Sequence, residues 1–386
     1  MNIGIDFGST YSAFSGYEEQ TDTLKKLTID EMGIANIPSV VSISPRGEIM
    51  CGSAAKNEIG SKNRRIYEAF KMLLVESDAG LLAKRGYDAE NTPKKIANYF
   101  LDYVLETISE RYGEPVEDVV ICAPEIWSKN IKQLDGHGIL KEILSVDSDG
   151  EPLTRTVRVV SEPEAASAFF AYNYEKETKK PFNGHLLLID YGGGTLDLTL
   201  TKVVSDGTGV IEICTRASGG AGENHYGENG GINIGNAGIA FMQDVIVRAL
   251  REKGSLGQDE EVTYTSPDFL KAVKDLESKL MSKTSDIRKT FLKLGKYRDA
   301  EKLLQKDPLF FSDITYDDES VDITYQQLLL SYKSTIEGVL KDEIEKILPD
   351  VCKAIDTDPC DPASGTNDDF KIALVGGFCS FLARRN

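Results

Sequence analysis

Apolar residues along this chain recur with two different periods. Short apolar runs bounded by Gly, Pro, Asn or Asp predict strands, and apolar positions spaced three and four apart predict helices. Strands are expected at Met1–Ile5, Thr10–Tyr17 and, after Pro38, Ser39–Ile43, together reading as one small antiparallel sheet. Residues 53–85 read as mostly helical and contain the basic stretch Lys62–Arg65. Pro93–Tyr112 predicts an amphipathic helix with Ile96, Tyr99, Phe100, Tyr103, Val104 and Ile108 on one face, ended by Gly113-Glu114-Pro115. Val119–Ala123 predicts a buried strand and Lys129–Leu144 a helix. The strand Val157–Ser161 runs straight into Glu162-Pro163-Glu164. There Ser161 is a good N-cap, Pro163 suits the first turn, and Glu164 completes a capping box. Further strands are expected at Leu186–Ile189, Leu196–Val204, Ile211–Ala217 and Ile372–Val375. Further helices are expected at Ile239–Arg251, from Ser266-Pro267-Asp268 through Met281, and at Tyr325–Leu348, closed by Pro349. Residues 295–325 contain hairpin-like pieces, and Asp356–Asp369 reads as a polar loop. Ser218–Gly238, rich in Gly and Asn, reads as a linker or a ligand loop.

One pattern occurs twice. Ile3-Gly4-Ile5-Asp6-Phe7-Gly8-Ser9-Thr10-Tyr11 and Leu187-Leu188-Ile189-Asp190-Tyr191-Gly192-Gly193-Gly194-Thr195-Leu196-Asp197 each give a strand, an Asp, a turn of Gly and hydroxyls, and a second strand. The two Asp residues are 184 positions apart (190 minus 6). Repetition of such units, each followed by helices, predicts an α/β protein of two similar lobes with one ligand between them. Gly turns expose backbone N–H groups to phosphate oxygens, and Ser9, Thr10 and Thr195 add hydroxyl donors. A carboxylate beside phosphate makes sense with a hard cation such as Mg2+ between them, held through its waters. The competing reading is two ordinary hairpins with Asp-Gly turns. Neither G-x-x-x-x-G-K-[ST] nor a G-x-G-x-x-G following a strand occurs, which argues against P-loop, dinucleotide-binding and protein-kinase solutions.

Composition narrows the partners. A net charge of −18 disfavours nonspecific binding to nucleic acid or anionic membrane. No signal peptide and no membrane helix is expected, and the six scattered cysteines, without C-x-x-C, suit reduced thiols in a cytoplasm. Three isolated histidines argue against zinc and His-activated chemistry.

Five segments in order resemble the actin-like ATPase superfamily, nearest the nucleotide-binding domain of the 70-kilodalton heat-shock chaperones. They are Asp6–Tyr11, Ser161–Ala166, Asp190–Asp197, Gly230-Gly231 and Val375-Gly376-Gly377. The resemblance spans nearly the whole chain. It implies a ribonuclease H-like fold of two duplicated lobes, each a core mixed sheet flanked by helices with an inserted subdomain. Lobe I would be 1–183, with core 1–38 and 117–183 and insert about 39–116. Lobe II would be 184–386, with core 184–230 and about 315–386 and insert about 231–314.

The resemblance also implies residue roles. Asp6 and Asp190 would bind Mg2+ through water. Gly8, Ser9, Thr10 and Tyr11 would hold the β- and γ-phosphates of ATP or ADP, with Gly192, Gly193, Gly194 and Thr195 opposite. Glu162 would orient or deprotonate the attacking water, with Asp197 as a second acidic residue. Lys71 would neutralise the γ-phosphate. Gly230, Gly231, Gly376 and Gly377 would approach ribose and base, and Asp275, Lys279 and Ser282 would contact adenosine. Read from the residues alone, Lys71 also fits a solvated helix lysine, and Asp275, Lys279 and Ser282 fit a polar helix face. Glu164 reads as a capping residue.

Departures from the family pattern are local. Ser9 replaces the usual Thr and keeps the hydroxyl. After Gly376-Gly377 the chain has Phe378-Cys379-Ser380 in place of the usual Ser, hydroxyl residue and Arg, and Lys279 stands where a second Arg is common. Lys does not stack on a base as Arg does, so adenine specificity would be either weaker or supplied by another residue such as Phe378. No peptide-binding domain is expected within this chain, so client proteins would act through a missing or separate domain, with a co-chaperone or exchange factor as further partners. The leading expectation is slow, Mg-dependent ATP hydrolysis that opens and closes the lobes. The rivals are a nucleotide-gated scaffold with little hydrolysis, an actin-like filament ATPase, and a sugar kinase.

Overall fold

The computed structural model describes residues 1–18, 21, 23–29, 33, 35–61, 63–125, 127, 135–209, 211–221, 237–264, 266–282, 309–357 and 369–376. The chain divides into two compact units, Met1–Ala165 and Ala166–Asn386.

The first unit is built on a sheet that, among the described residues, has six strands. They are β1 (Asn2–Asp6), β2 (Tyr11–Glu18), β3 (Thr23–Leu27), β4 (Asn36–Pro38), β8 (Asp118–Ala123) and β9 (Thr156–Ser161), in the order β3-β2-β1-β8-β9 with β4 on β2. β1 and β2 form an antiparallel hairpin, with Asp6 opposite Ala13. β1, β8 and β9 run parallel, pairing Ile5 with Ile121 and Ala123 with Ser161. β5 (Val40–Ile43) is not part of this sheet, as the sequence suggested. It lies between β6 (Ile49–Cys51) and β7 (Arg65–Glu68) in a separate sheet, antiparallel to both.

The expected helix over 53–85 is also corrected. It resolves into α1 (Gly52–Asn57), β7, α2 (Phe70–Leu73) and α3 (Ala79–Lys84). Four residues are too short to display a strand period, and pairing of β7 with β5 decides the conformation. Helix α4 spans Pro93–Tyr112 as predicted. The Thr92 hydroxyl accepts from Lys95 N–H, Pro93 occupies the first turn, and Gly113 closes the helix in the left-handed conformation. Ile96, Phe100, Val104 and Ile108 are fully buried, whereas Tyr103 is 43% exposed and flanks the stripe rather than belonging to it. Of the predicted helix over 129–144, α5 (Gly136–Leu144) is described, and residues 128–134 lie outside the described residues.

In the second unit, among the described residues, a four-stranded sheet runs β12-β11-β10-β15, made of β10 (Asn183–Tyr191), β11 (Leu196–Ser205), β12 (Ile211–Ala221) and β15 (Asp369–Val375). β10 pairs antiparallel with β11 and parallel with β15. The first residues of the expected linker, Ser218–Ala221, belong to β12, and 222–236 lie outside the described residues. Helix α6 (Glu162–Thr178) precedes β10, and α7 (Gly238–Lys253) and α8 (Pro267–Ser282) follow β12. The hairpin β13 (Leu309–Tyr316) and β14 (Glu319–Thr324) leads into α9 (Tyr325–Ser331), a π-helical turn over Tyr332–Glu337, and α10 (Gly338–Thr357).

Pro349 does not close α10 but lies inside it. Ile347 and Val351, on either side of the proline, are buried in one core cluster with Leu198, Phe241 and Val245. That packing outweighs the backbone hydrogen bond a proline forfeits. No helix among the described residues is long and apolar enough to cross a membrane.

A small aromatic group fixes the part of the first unit that matters below. Phe7 lies just past β1, Phe70 opens α2, and Phe100 is in α4. All three are buried, with ring centroids 5.8–6.3 Å apart. Truncating a buried Phe leaves a cavity as well as losing its transfer free energy. Phe100→Ala is therefore expected to destabilise the protein by about 3–5 kcal/mol, measured by urea denaturation, with Phe100→Leu costing clearly less.

Candidate functional site

Parallel strands end at one edge of their sheet, and open α/β sheets take ligands outside those carboxyl ends. In the first unit β1 ends at Asp6, β8 at Ala123 and β9 at Ser161, with Glu162 opening α6. The capping box forms as the sequence predicts. Ser161 N–H donates to Glu164 Oε2 at 2.9 Å, and Glu164 N–H donates to Ser161 Oγ at 3.3 Å. Glu164 is thereby spent on starting the helix.

Glu162 faces Lys71. The ammonium of Lys71 donates to Glu162 Oε1 in an ion pair. Lys71 is only 4% exposed, so it is no solvated helix lysine. The residue before its short helix, Ala69, is held left-handed at φ 51°, uncommon for a residue with a Cβ. The turn admits Phe70 to the aromatic group and leaves Lys71 Nζ 5.8 Å from the centroid of the Phe7 ring. Burial alone would lower the Lys71 pKa. The charge and hydrogen bond of Glu162, aided by Asp6, overcome it and raise the value.

Asp6 completes the group. Solvent reaches its carboxylate, yet so much protein surrounds it that desolvation raises its pKa. Lys71 opposes that rise and Glu162 adds to it. Cys122, next to the end of β8, shares the same field. Burial first, then Asp6 and Glu162, push its thiol up to about 12. It is a protonated, partly buried neighbour.

The turn after β1 is tightly constrained. A Cβ on Gly8 would meet the Tyr11 carbonyl oxygen at 2.0 Å, so only glycine fits. Ser39 N–H donates to Thr10 O at 2.9 Å, and Ser39 Oγ donates to Gly8 O at 2.7 Å. Tyr11 opens β2. Its hydroxyl accepts from Lys56 Nζ at 2.5 Å, and the ammonium lies 4.6 Å from the ring centroid. Ser39, Lys56, Phe7 and Cys122 were not singled out from the sequence.

The second unit carries the other copy of the pattern. Asp190 and Asp197 are direct cross-strand partners on β10 and β11, an arrangement that like charges disfavour. Gly192 N–H donates to Thr195 O at 2.9 Å and closes the turn. The Gly192 and Gly193 carbonyls accept from Gly238 and Ile239 N–H at 3.2 and 2.9 Å, so the turn caps α7, whose N-cap Ala237 has no side chain to do it. Gly376 follows β15 with φ 87°. A Cβ there would strike Asp190 Oδ1 at 2.3 Å and Tyr191 O at 2.6 Å. Asp190, Asp197, Gly192–Thr195 and Gly376 thus share one edge. Lys279 on α8 donates to the Ser312 and Asp313 carbonyls of β13 at 2.5 and 3.4 Å, and Asp275 is half-buried on the same helix. Gly230, Gly231, Gly377, Phe378 and the Ser282 side chain lie outside the described residues. Among the described residues no group of three or more His, Cys, Asp or Glu could hold a metal directly.

A family model described as "Hsp70 protein" matches residues 2–230, more than half of the chain. The chain belongs to the Hsp70 family. Its fold is therefore the actin-like ATPase fold, and the Hsp70 family as a whole binds ATP and ADP, protein clients and co-chaperones. The chain is 29% identical over 225 residues to "Chaperone protein DnaK" of Metamycoplasma hominis, covering 58% of this chain and 33% of that protein. It is 26% identical over 323 residues to the "Iron-sulfur cluster biogenesis chaperone, mitochondrial" of Saccharomyces cerevisiae, covering 76% of this chain and 45% of that protein. The chain thus spans less than half the length of these relatives.

Two predictions follow from the charge group. Lys71 and Glu162 should couple by about 1–3 kcal/mol in a double-mutant cycle of Lys71→Met and Glu162→Gln read by urea denaturation. An additive double mutant would contradict the pairing. The raised Lys71 pKa places this stabilisation at neutral pH and removes it as pH rises through that value. Asp6 works in the opposite sense: with a raised pKa, its ionisation weakens the fold once pH exceeds the ordinary aspartate range of about 4. Asp6→Asn should therefore raise stability at pH 7 by about 0.5–1 kcal/mol, the low end for such a site because solvent screens the carboxylate. The gain should vanish near pH 3, as thermal melts across pH would show.

Proposed function

We propose that this chain binds Mg-ATP and hydrolyses it slowly to ADP and phosphate, as the nucleotide-driven part of a chaperone. The observation that carries this reading is the convergence of Asp6, Lys71 and Glu162 at the carboxyl ends of β1, β8 and β9. Lys71 would neutralise the transferred phosphoryl group. Glu162, drawn off Lys71 by the incoming phosphate, would orient the attacking water, with Asp197 as its second acidic neighbour. Gly8–Tyr11 and Gly192–Thr195 would hold the phosphates through backbone N–H groups and hydroxyls.

The donor set suits a hydrated Mg2+ rather than a directly ligated ion. Desolvation raises the pKa of Asp6, and Asp190 lies opposite Asp197 in the strand register, so a cation near either would favour the ionised carboxylates. Mg2+ keeps several of its waters in such sites, and when bound it would supply charge neutralisation of the phosphates. Gly376 and Gly377, with Gly230, Gly231, Asp275, Lys279, Ser282 and Phe378, would form the ribose and base side. Lobes I (1–183) and II (184–386), opening and closing with the nucleotide, would pass the change to protein clients and respond to a co-chaperone or exchange factor. A cytoplasmic location belongs to the same reading.

The nucleotide-gated scaffold stays in view for one reason. Glu162 is held by Lys71, and a nucleotide that leaves the pair intact would bind without turnover. Single-turnover phosphate release from Mg-ATP decides between the two. The unaltered chain is expected to hydrolyse, and Glu162→Gln to bind nucleotide while losing about 10²-fold or more in rate, the usual contribution of a positioned base. Tight binding without turnover in the unaltered chain would favour the scaffold, and equal rates in both proteins would remove Glu162 from its role.

A further inference from the structure

Three hydrogen bonds in the first unit meet at one residue that no motif contains. Ser39, between β4 and β5, is 2% exposed. Its N–H donates to Thr10 O at 2.9 Å, its Oγ donates to Gly8 O at 2.7 Å, and its Oγ lies 2.9 Å from Ser12 Oγ. Both ends of the turn Gly8–Thr10 are therefore fixed by one side chain and its own backbone.

The proton positions in this group follow from counting. A hydroxyl has one proton and can accept twice. The Gly8 carbonyl can only accept, so the Ser39 proton is committed to it. The proton between the two hydroxyls must then come from Ser12, which is 1% exposed and sits on β2. A directed relay results, from Ser12 Oγ–H to Ser39 Oγ–H to Gly8 C=O. A hydroxyl that accepts one hydrogen bond becomes a better donor in the next, so Ser12 strengthens the hold on Gly8.

The relay bears on ligand binding because of how a peptide group is built. The C=O of Gly8 and the N–H of Ser9 belong to one plane and point in opposite directions. Fixing the carbonyl on Ser39 fixes the direction of the Ser9 N–H. At the other end, fixing the Thr10 carbonyl sets the N–H of Tyr11 in the same way. Gly8 cannot relax by gaining a side chain, since its Cβ position is filled by the Tyr11 carbonyl. Turns with oriented N–H groups bind anions, and their worth lies in being oriented before the anion arrives.

We propose that Ser39, backed by Ser12, is a positioning residue that pre-orients the Gly8–Tyr11 turn for the phosphates of a nucleotide. The proposal rests on the nucleotide reading above. It touches the phosphates and not the base, which separates it from a general effect on folding.

The test compares ATP and adenosine binding by calorimetry for the unaltered chain, Ser39→Ala, Ser39→Thr and Ser12→Ala, with amide hydrogen exchange of residues 8–11 in the ligand-free proteins. Ser39→Ala is expected to weaken ATP about tenfold, the effect of losing one hydrogen bond to an otherwise orphaned carbonyl. Adenosine affinity should stay unchanged and exchange in the turn should accelerate. Ser12→Ala should shift both readouts the same way but less, and Ser39→Thr, which keeps the hydroxyl, should restore ATP affinity. Unchanged ATP affinity and unchanged exchange in Ser39→Ala would overturn the proposal, as would equal losses for ATP and adenosine. Failure of the unaltered chain to bind ATP would overturn the nucleotide reading and this proposal with it, whereas the other failures would leave that reading standing.

Discussion

An ammonium group removed from water is tolerable only with a counter-charge against it. In this chain that constraint organises the first unit. Lys71 is buried, its ammonium near the Phe7 ring of the aromatic group, and its charge is answered by Glu162 and, more weakly, by Asp6. Three stretches far apart in sequence must meet for this to happen: the end of β1, the short helix α2 and the first residue of α6. The parallel register of β1, β8 and β9 supplies two of them at one edge, and the left-handed turn at Ala69 delivers the third. In the proposed reaction a phosphate arriving there would compete with Glu162 for the same ammonium. Binding and release of the base would then be one event rather than two, a physical route to slow, ligand-gated hydrolysis.

The parts of this arrangement that are legible in the sequence are those whose physics is local. Asp6, Gly8 and the hydroxyls after it lie within one hairpin. Ser161 and Glu164 bond each other three residues apart. The Pro93 and Gly113 signals bound α4 for the same reason. What escapes notice is long-range. Ser39 reaches Gly8 across 31 positions, Lys56 reaches Tyr11 across 45, and neither has a neighbour that announces the contact. Residues 53–85 mislead because β7 exists through its pairing with β5, not through its own four residues. Pro349 misleads in the opposite way: its local signal is strong, and burial of Ile347 and Val351 overrides it.

The two copies of the strand–turn–strand pattern look alike in sequence but are constrained differently. At Gly8 a side chain would collide with backbone at 2.0 Å, whereas at Gly192 the nearest atom to a Cβ is the Thr195 carbonyl at 3.4 Å, an ordinary contact. The first turn is held from outside by Ser39. The second is held by the helix it caps, through the Gly238 and Ile239 amides. In the second copy the severe steric demand has moved to Gly376, where a side chain would displace the Asp190 carboxylate itself. A glycine in such a motif therefore cannot be weighted by its place in the pattern alone. What matters is which backbone or carboxylate atom stands where its Cβ would be.

Both copies also bring one carboxylate near another. Asp6 is desolvated beside Glu162, and Asp190 faces Asp197 across a strand pair. Desolvation of ionised Asp6 lowers the stability of the ligand-free chain at neutral pH, and a cation near it would oppose that cost. A ligand that binds only the folded state adds stability in proportion to the logarithm of its concentration over its dissociation constant. Under the proposed function a bound cation would recover stability lost at Asp6, and an unaccompanied polyanion would aggravate the loss. In the proposed reaction the same charges would favour the metal-bound nucleotide over the bare one, because only the former brings a counter-charge to the carboxylates.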